Sequence, residues 1–187
     1  WTHSTQLGGT PGRTNFPSSS EEIPTKIIKL INLNDEWRYN EIGNDLGPSW
    51  SEQRHALNDE WKSGKGGIGF ESGTTIPLET RLNFPSRNDP YVITYYFERE
   101  FDLRANQLSN LDSLILRHAI DDGALIHING KEVLRVNMPD GNIAYSDLAS
   151  ENIEVDELSS EISVDISGLV VGNNRISVEV HQSRIGN

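Results

Sequence analysis

Residues 114–136 constrain this chain more than any other stretch. They run Leu-Ile-Leu-Arg-His-Ala-Ile-Asp, then Asp122-Gly123, then Ala-Leu-Ile-His-Ile, then Asn129-Gly130, then Lys-Glu-Val-Leu-Arg-Val. Asp-Gly and Asn-Gly are the favoured dipeptides of two-residue hairpin turns, because glycine accepts the positive φ such turns require. The runs between them are β-branched or apolar and too short for stable helices. The pattern predicts a three-strand antiparallel meander over 114–121, 124–128 and 131–136.

Two-residue turns fix which side chains oppose each other. Across the first turn His118 faces His127 and Arg117 faces Ile128; across the second His127 faces Glu132 and Ile126 faces Val133. His118, His127 and Glu132 then form one cross-strand row. Imidazole and carboxylate are ligand types of zinc and non-haem iron sites. They equally form an exposed or internally hydrogen-bonded polar strip, and a β-bulge would break the row. The other face carries Arg117, Lys131 and Arg135 among Ile115, Ala119, Ile126 and Val133. Such a face is either solvated or able to receive an anionic polysaccharide.

The rest of the chain fits an all-β reading. Residues 1–24 hold few apolar side chains and read as a linker or the tail of a preceding domain, with one sandwich expected over 25–187. Lys26 to Ile31 is the first expected strand, Tyr91 to Phe101 the next convincing one, and Ser113 to Ile120 follows. Glu161 to Ile166 and Arg175 to His181 read as a pair joined through Gly172-Asn173-Asn174. Residues 34–90 are loop-rich, and the glycines at 64, 66, 67 and 69 read as a flexible connection into a strand. They lack the Lys-Ser/Thr of a phosphate-binding loop. Short helices or turns are expected at 51–62 and 147–158. No long 3.6-residue periodicity exists, so the expected fold is an all-β sandwich.

Composition narrows the chemistry. With 16 Lys+Arg against 28 Asp+Glu the formal net charge is -12, unsuited to a nucleic-acid phosphate backbone. No apolar run is long enough to insert in a membrane. The absence of cysteine removes disulfides and thiolate zinc sites. The chain begins at Trp1 and reads as a segment of a longer one. No His-Glu-x-x-His or Gly-x-Ser-x-Gly occurs. Asp121-Asp122 beside a turn either chelates calcium or makes the turn through side-chain to backbone bonds. Trp37 and Tyr39, at strand spacing in a polar context, can stack on the apolar face of a sugar ring or fill the core.

Several segments carry a resemblance. Ile93-Thr-Tyr-Tyr-Phe-Glu-Arg-Glu-Phe101 resembles the strand of galactose-binding-like jelly rolls, best known from the sugar-binding domain of β-galactosidase-type enzymes. Asn58-Asp59-Glu60-Trp61 is similar to their Asp-Asp-Ser-x-Trp element, with Asn for the first Asp and Glu for Ser. Leu116 to Val133 resembles the Asp-Asp-Gly-Ala-Val-Val-Tyr-Leu-Asn-Gly-x-Glu-Val hairpins of bacterial secreted modules, with His127 at the usual Tyr. Asn137-Met138-Pro139-x-Gly141 and Glu179-Val-His-Gln182 continue the likeness, which spans about residues 26–182. Trp1 to Asn15 resembles the closing segment of a lamin-tail-like domain.

The resemblance implies a galactose-binding-like jelly-roll β-sandwich, secreted or on the cell surface. It implies a non-catalytic module that binds a polysaccharide or glycan, or acts as a spacer beside the other domains of a parent chain. Its ligand contacts would be stacking by Trp37 or Tyr39 and hydrogen bonds from Arg117, Asp121, Asp122 and His181. No cofactor is certain, though structural calcium is compatible. Relatives continue past the Val-His-Gln strand with one more apolar strand, whereas this chain stops at Asn187. An edge left open in that way invites pairing with a neighbour, so an extracellular filament or surface-layer subunit is the alternative.

Overall fold

The structure, a computed structural model, describes residues 27–70, 75–83, 91–155 and 157–184. The proposed tail at 1–24, its lamin-tail-like segment and the last three residues lie outside them. The described residues are nearly all β. A six-stranded antiparallel sheet runs in the order β2 (Trp61–Lys65), β1 (Glu36–Asn40), β5 (Thr94–Leu103), β10 (Gly172–His181), β7 (Gly123–Ile128) and β8 (Lys131–Val136). A second, antiparallel pair joins β6 (Leu114–Leu116) to β9 (Ile162–Val164). A small parallel pair joins β3 (Ile68–Gly69) to β4 (Thr80–Arg81). Trp50–Glu52 forms a 3-10 turn, and Ala105–Leu108 a one-turn helix that the sequence reading did not anticipate.

The long central strands have alternating sequences, and alternation sends successive side chains to opposite faces. On β5 and β10, Phe97, Phe101, Leu103, Ile176, Val178 and Val180 turn inward with Ala124, Ile126 and Ile128 of β7. Leu114, Leu116, Ile120, Ile166 and Leu169, from β6 and the segments around β9, meet them in one core. Burying each larger aliphatic side chain there stabilises by about 1.5–3 kcal/mol. Leu30 and Ile31 pack on the same core, but residues 27–31 form no strand, and Ile27 is 88% exposed. Over its described residues, 27–31, the strand expected at Lys26–Ile31 is therefore corrected to an irregular segment that lends two side chains to the core.

One of the two predicted reversals forms as expected. Asn129 has φ 51 and Gly130 φ 82, the left-handed pair of a tight hairpin turn. His127 faces Glu132 and Ile128 faces Lys131. A bulge between Ile126 and His127 then shifts the register, so Ile126 faces Leu134 rather than Val133. The turn is also pinned from outside: the Asn129 amide donates to Gly168 O (2.9 Å) and its Oδ1 accepts from Arg175 N (2.8 Å).

The other reversal is a correction. β6 pairs with β9 and not with β7, so the chain passes from one layer to the other between Leu116 and Gly123. The physical reason lies in what Asp122 and Gly123 touch. Both Asp122 carboxylate oxygens accept backbone bonds, from Ile153 N at 2.8 Å and Ser183 N at 2.7 Å. A Cβ on Gly123 would sit 2.8 Å from both Met138 Sδ and Ala149 Cβ. The dipeptide anchors loops and permits close packing; it does not turn a hairpin. Likewise the expected 161–166/175–181 pair is replaced: β9 joins the small sheet while β10 lies between β5 and β7. The glycine-rich connection is ordered too, since a Cβ on Gly66 would lie 1.9 Å from Leu33 O. Of the expected short helices, only Trp50–Glu52 appears near the first, and none appears at the second among the described residues.

Candidate functional site

The outer face of the six-stranded sheet mixes polar side chains with apolar ones that are themselves covered: Trp61 and Tyr96 pack with Trp50, and Leu125 with Met138 and Ala149. Pairing places two cross-strand rows on it. One reads Ser63, Arg38, Glu98, Ser177, His127, Glu132; the next reads Trp61, Asn40, Tyr96, Glu179, Leu125, Arg135.

The first row centres on Glu98, which has no exposed surface. Its carboxylate accepts from Arg38 Nε (2.7 Å), His55 N (3.0 Å) and the His55 Nδ1 side (3.1 Å), and Arg175 Nε lies at 3.9 Å. Burial pushes its pKa up, but the hydrogen bonds from His55 and Arg38 outweigh this and hold it below the ordinary Glu range. Glu100 accepts from Arg54 Nε at 2.9 Å and from the Arg38 guanidinium. Residues 50–55 lie over this end of the face. His55 stacks on Trp61 (4.3 Å, 10°), Trp50 meets Tyr96 edge-on (4.8 Å), and the Arg175 guanidinium bonds Ser51 O at 2.7 Å.

The opposite end is less complete. His181 Nδ1 lies 2.8 Å from Asp147 O, a carbonyl that can only accept, so Nδ1 carries the proton. Its Nε2 is buried without a hydrogen-bond partner and faces Glu179 Oε2 at 3.7 Å. Glu179 is 8% exposed, and its carboxylate receives no hydrogen bond among the described residues. His127, half-buried beside the edge of Trp50 (6.1 Å, 82°), also has an unpartnered buried Nδ1. Burial pushes its pKa down, so the ring is neutral near pH 7. Glu132 and Arg135 close the row at the solvent side through bonds of 2.9 and 2.8 Å, and the hydrogen bond from Arg135 holds the Glu132 carboxyl below its ordinary range. The Glu179 carboxylate acts electrostatically on both His127 and Arg135. Together these groups place a carboxylate and an imidazole near an indole on the outer face.

The residues expected from sequence fall elsewhere. Tyr39 is 6% exposed and packs with Leu82, Val92 and Tyr95, which corrects its reading as a stacking platform. Trp37, on the inward face of the same strand, is half-buried against the main core. His181 is fully buried, and Asp122 spends both oxygens on backbone amides; these two are structural, brought close where His181 pairs with Gly123. Arg117 is exposed and donates to Ser159 O at 2.9 Å on the second layer. Asp121 is exposed on the crossing between layers.

The His118/His127/Glu132 row splits: His127 and Glu132 stay opposed, while His118 N donates to Ser159 Oγ on the far layer. Among the described residues no group of three His, Asp or Glu side chains is placed to hold a metal ion. The Arg117/Lys131/Arg135 face dissolves for the same reason, and Lys131 instead bonds Asp165 at 2.6 Å. Sequence reasoning missed Glu98, Glu179, Arg38 and His55. The available signal was Thr-x-Tyr-x-Glu-x-Glu on β5 and Arg-x-Ser-x-Glu-x-His on β10, polar residues at every second position of otherwise apolar strands.

No protein-family model and no curated protein matches the chain. Among solved structures it is similar to a β-glucuronidase from Ruminococcus gnavus in complex with C6-substituted uronic isofagomine (16% identity, TM-score 0.49). It is also similar to an uncultured Clostridium sp. β-glucuronidase (21%, 0.49) and a β-D-mannosidase from Dictyoglomus thermophilum (14%, 0.42). These alignments cover 82%, 82% and 83% of this chain but only 22%, 22% and 16% of the enzymes.

Proposed function

We propose that this domain is a non-catalytic carbohydrate-binding or accessory module of a secreted bacterial protein. The observation that carries the reading is the set of polar groups on the outer face of the main sheet, where Glu179 receives no hydrogen bond among the described residues and the buried His127 Nδ1 and His181 Nε2 have no hydrogen-bond partner. A protein seldom buries such groups unsatisfied, because each costs about 1–3 kcal/mol. A hydroxyl-rich ligand would supply the donor that Glu179 lacks. The sequence likeness to galactose-binding-like modules points the same way, and a secreted location rests on it.

The non-catalytic part has its own support. A glycosidase needs one carboxyl held protonated as general acid. Glu98 and Glu132 are shifted the other way by their Arg and His partners. Screening the protein on a glycan array, with reducing-end assays on each glycan retained, tests both parts. Retention of at least one glycan without release of reducing ends is expected. Retention of none removes the binding reading, and turnover removes the non-catalytic one.

The alternative, an assembly subunit completed by strand pairing, is favoured by one observation: β2 and β8 end the six-stranded sheet. Both carry charges that oppose pairing, Lys62 and Lys65 on one and Lys131, Glu132 and Arg135 on the other. Light scattering after size exclusion distinguishes a monomer from strand-paired oligomers.

A further inference from the structure

Asp122-Gly123, Asn129-Gly130 and Asp140-Gly141 carry the same latent chemistry. In each, the glycine N can attack the side-chain carbonyl carbon of the preceding residue and close a five-membered imide. Glycine permits this because no side chain shields its nitrogen or restricts its dihedrals. By sequence Asn129-Gly130 is the most reactive of the three, since a carboxamide gives up ammonia more readily than a carboxyl group gives up water. We infer that the fold reverses this order and makes Asp140-Gly141 the principal site of spontaneous isoaspartate formation among them.

Ring closure needs a free side chain and an unhindered glycine nitrogen. Asn129 is held at both polar atoms of its side chain: Nδ2 donates to Gly168 O and Asn174 Oδ1, each at 2.9 Å, and Oδ1 accepts from Arg175 N at 2.8 Å. Glu52 covers its glycine, since a Cβ on Gly130 would lie 3.2 Å from Glu52 Cγ. Asp122 is 4% exposed, and Ile153 N and Ser183 N occupy its two oxygens. Asp140 and Gly141, in contrast, are both exposed in the loop after β8. Among the described residues neither the Asp140 carboxylate nor the Gly141 N–H is hydrogen-bonded. A Cβ on Gly141 would meet nothing within 4 Å.

The step balances with no reagent but water. From the protonated carboxyl, Gly141 N bonds to Asp140 Cγ while the amide proton and the carboxyl hydroxyl leave as water. Water then opens the imide at one of its two carbonyls. Opening at Cγ restores aspartate. Opening at the Asp140 main-chain carbonyl leaves the chain running through Cγ, which is isoaspartate. The composition is unchanged, and the main chain gains one carbon directly after Pro139, whose carbonyl accepts from Arg135.

The test ages the intact protein in mildly acidic buffer, once folded and once in urea. Peptide mass spectrometry with electron-transfer fragmentation separates isoaspartate from aspartate and reports loss of the Asn129 amide. In the folded protein, conversion at Asp140 should exceed that at Asp122 or Asn129 by at least about tenfold, because those two must first break hydrogen bonds. In urea Asn129 should convert fastest. Asp140→Glu, whose side chain would have to close a six-membered ring, should bring labelling of the folded protein by isoaspartyl methyltransferase down to background. Absence of isoaspartate at 140, conversion at Asn129 or Asp122 matching it in the folded protein, the same ranking in urea, or labelling that survives Asp140→Glu would each overturn the inference.

Discussion

The two faces of one six-stranded sheet are built from the same strands and differ in almost everything else. Inward, β5, β7 and β10 present aliphatic and aromatic side chains to the β6–β9 layer, and the interaction is non-directional. Outward, alternate residues of the same strands present Glu98, Ser177 and Glu179 to Arg38, His55, Arg175 and the loop carrying Trp50. That face adds directional bonds to the apolar contacts around Tyr96 and Leu125, and each lost partner strands another. The inner face can absorb a change of shape; the outer has to be satisfied group by group. At Glu179 and His127 Nδ1 that bonding is incomplete among the described residues.

This contrast sets an order of effects. Glu98→Ala should cost the most, about 3–5 kcal/mol, because it removes the fully buried carboxylate that Arg38 and His55, both largely buried, bond to. Ile126→Val on the inner face should cost about 0.5–1.5 kcal/mol. Urea denaturation measures both, and a milder effect from Glu98→Ala would erase the asymmetry. Gly66→Ala falls between them, at about 1–3 kcal/mol, since the new Cβ collides with Leu33 O and the backbone must move. A neutral result would return residues 64–69 to a loose connection.

Acidification sharpens the same point. The folded Glu98 pKa lies below its unfolded value of about 4.3, so its contribution is complete above that value. It is lost as pH falls through the depressed folded value. The stability gap between wild type and Glu98→Gln should therefore narrow as pH drops from 6 toward 3, read by melting temperature. A widening gap would contradict the ionised assignment. The smallest effect belongs to the solvent side of the outer face: Arg135→Ala should change stability by less than about 1 kcal/mol, because its pair with Glu132 is partly exposed.

The sequence was legible where local chemistry had one meaning. Asn129-Gly130 needs positive φ at both residues, and the hairpin follows. Asp122-Gly123 carried the same signal for a different reason: Asp122 tethers two loops and Gly123 admits Met138 and Ala149. No local pattern separates these causes, since both depend on residues 15 to 61 positions away. The all-β class was readable from strand composition. The outer face was not, because Glu98 meets Arg38 and His55 only through pairings 60 and 43 residues apart. Tyr39 and Trp37 show the converse, aromatics in polar sequence that the sheet turns inward.

The most direct test of the outer face as the contact surface is a two-dimensional amide NMR titration with galactomannan oligosaccharides. Shifts should concentrate at His127, Glu132, Arg135 and Glu179 and their strand neighbours, leaving Trp37 and Arg117 unmoved. Shifts centred on Trp37 or Arg117, or no shifts at saturating oligosaccharide, would contradict it.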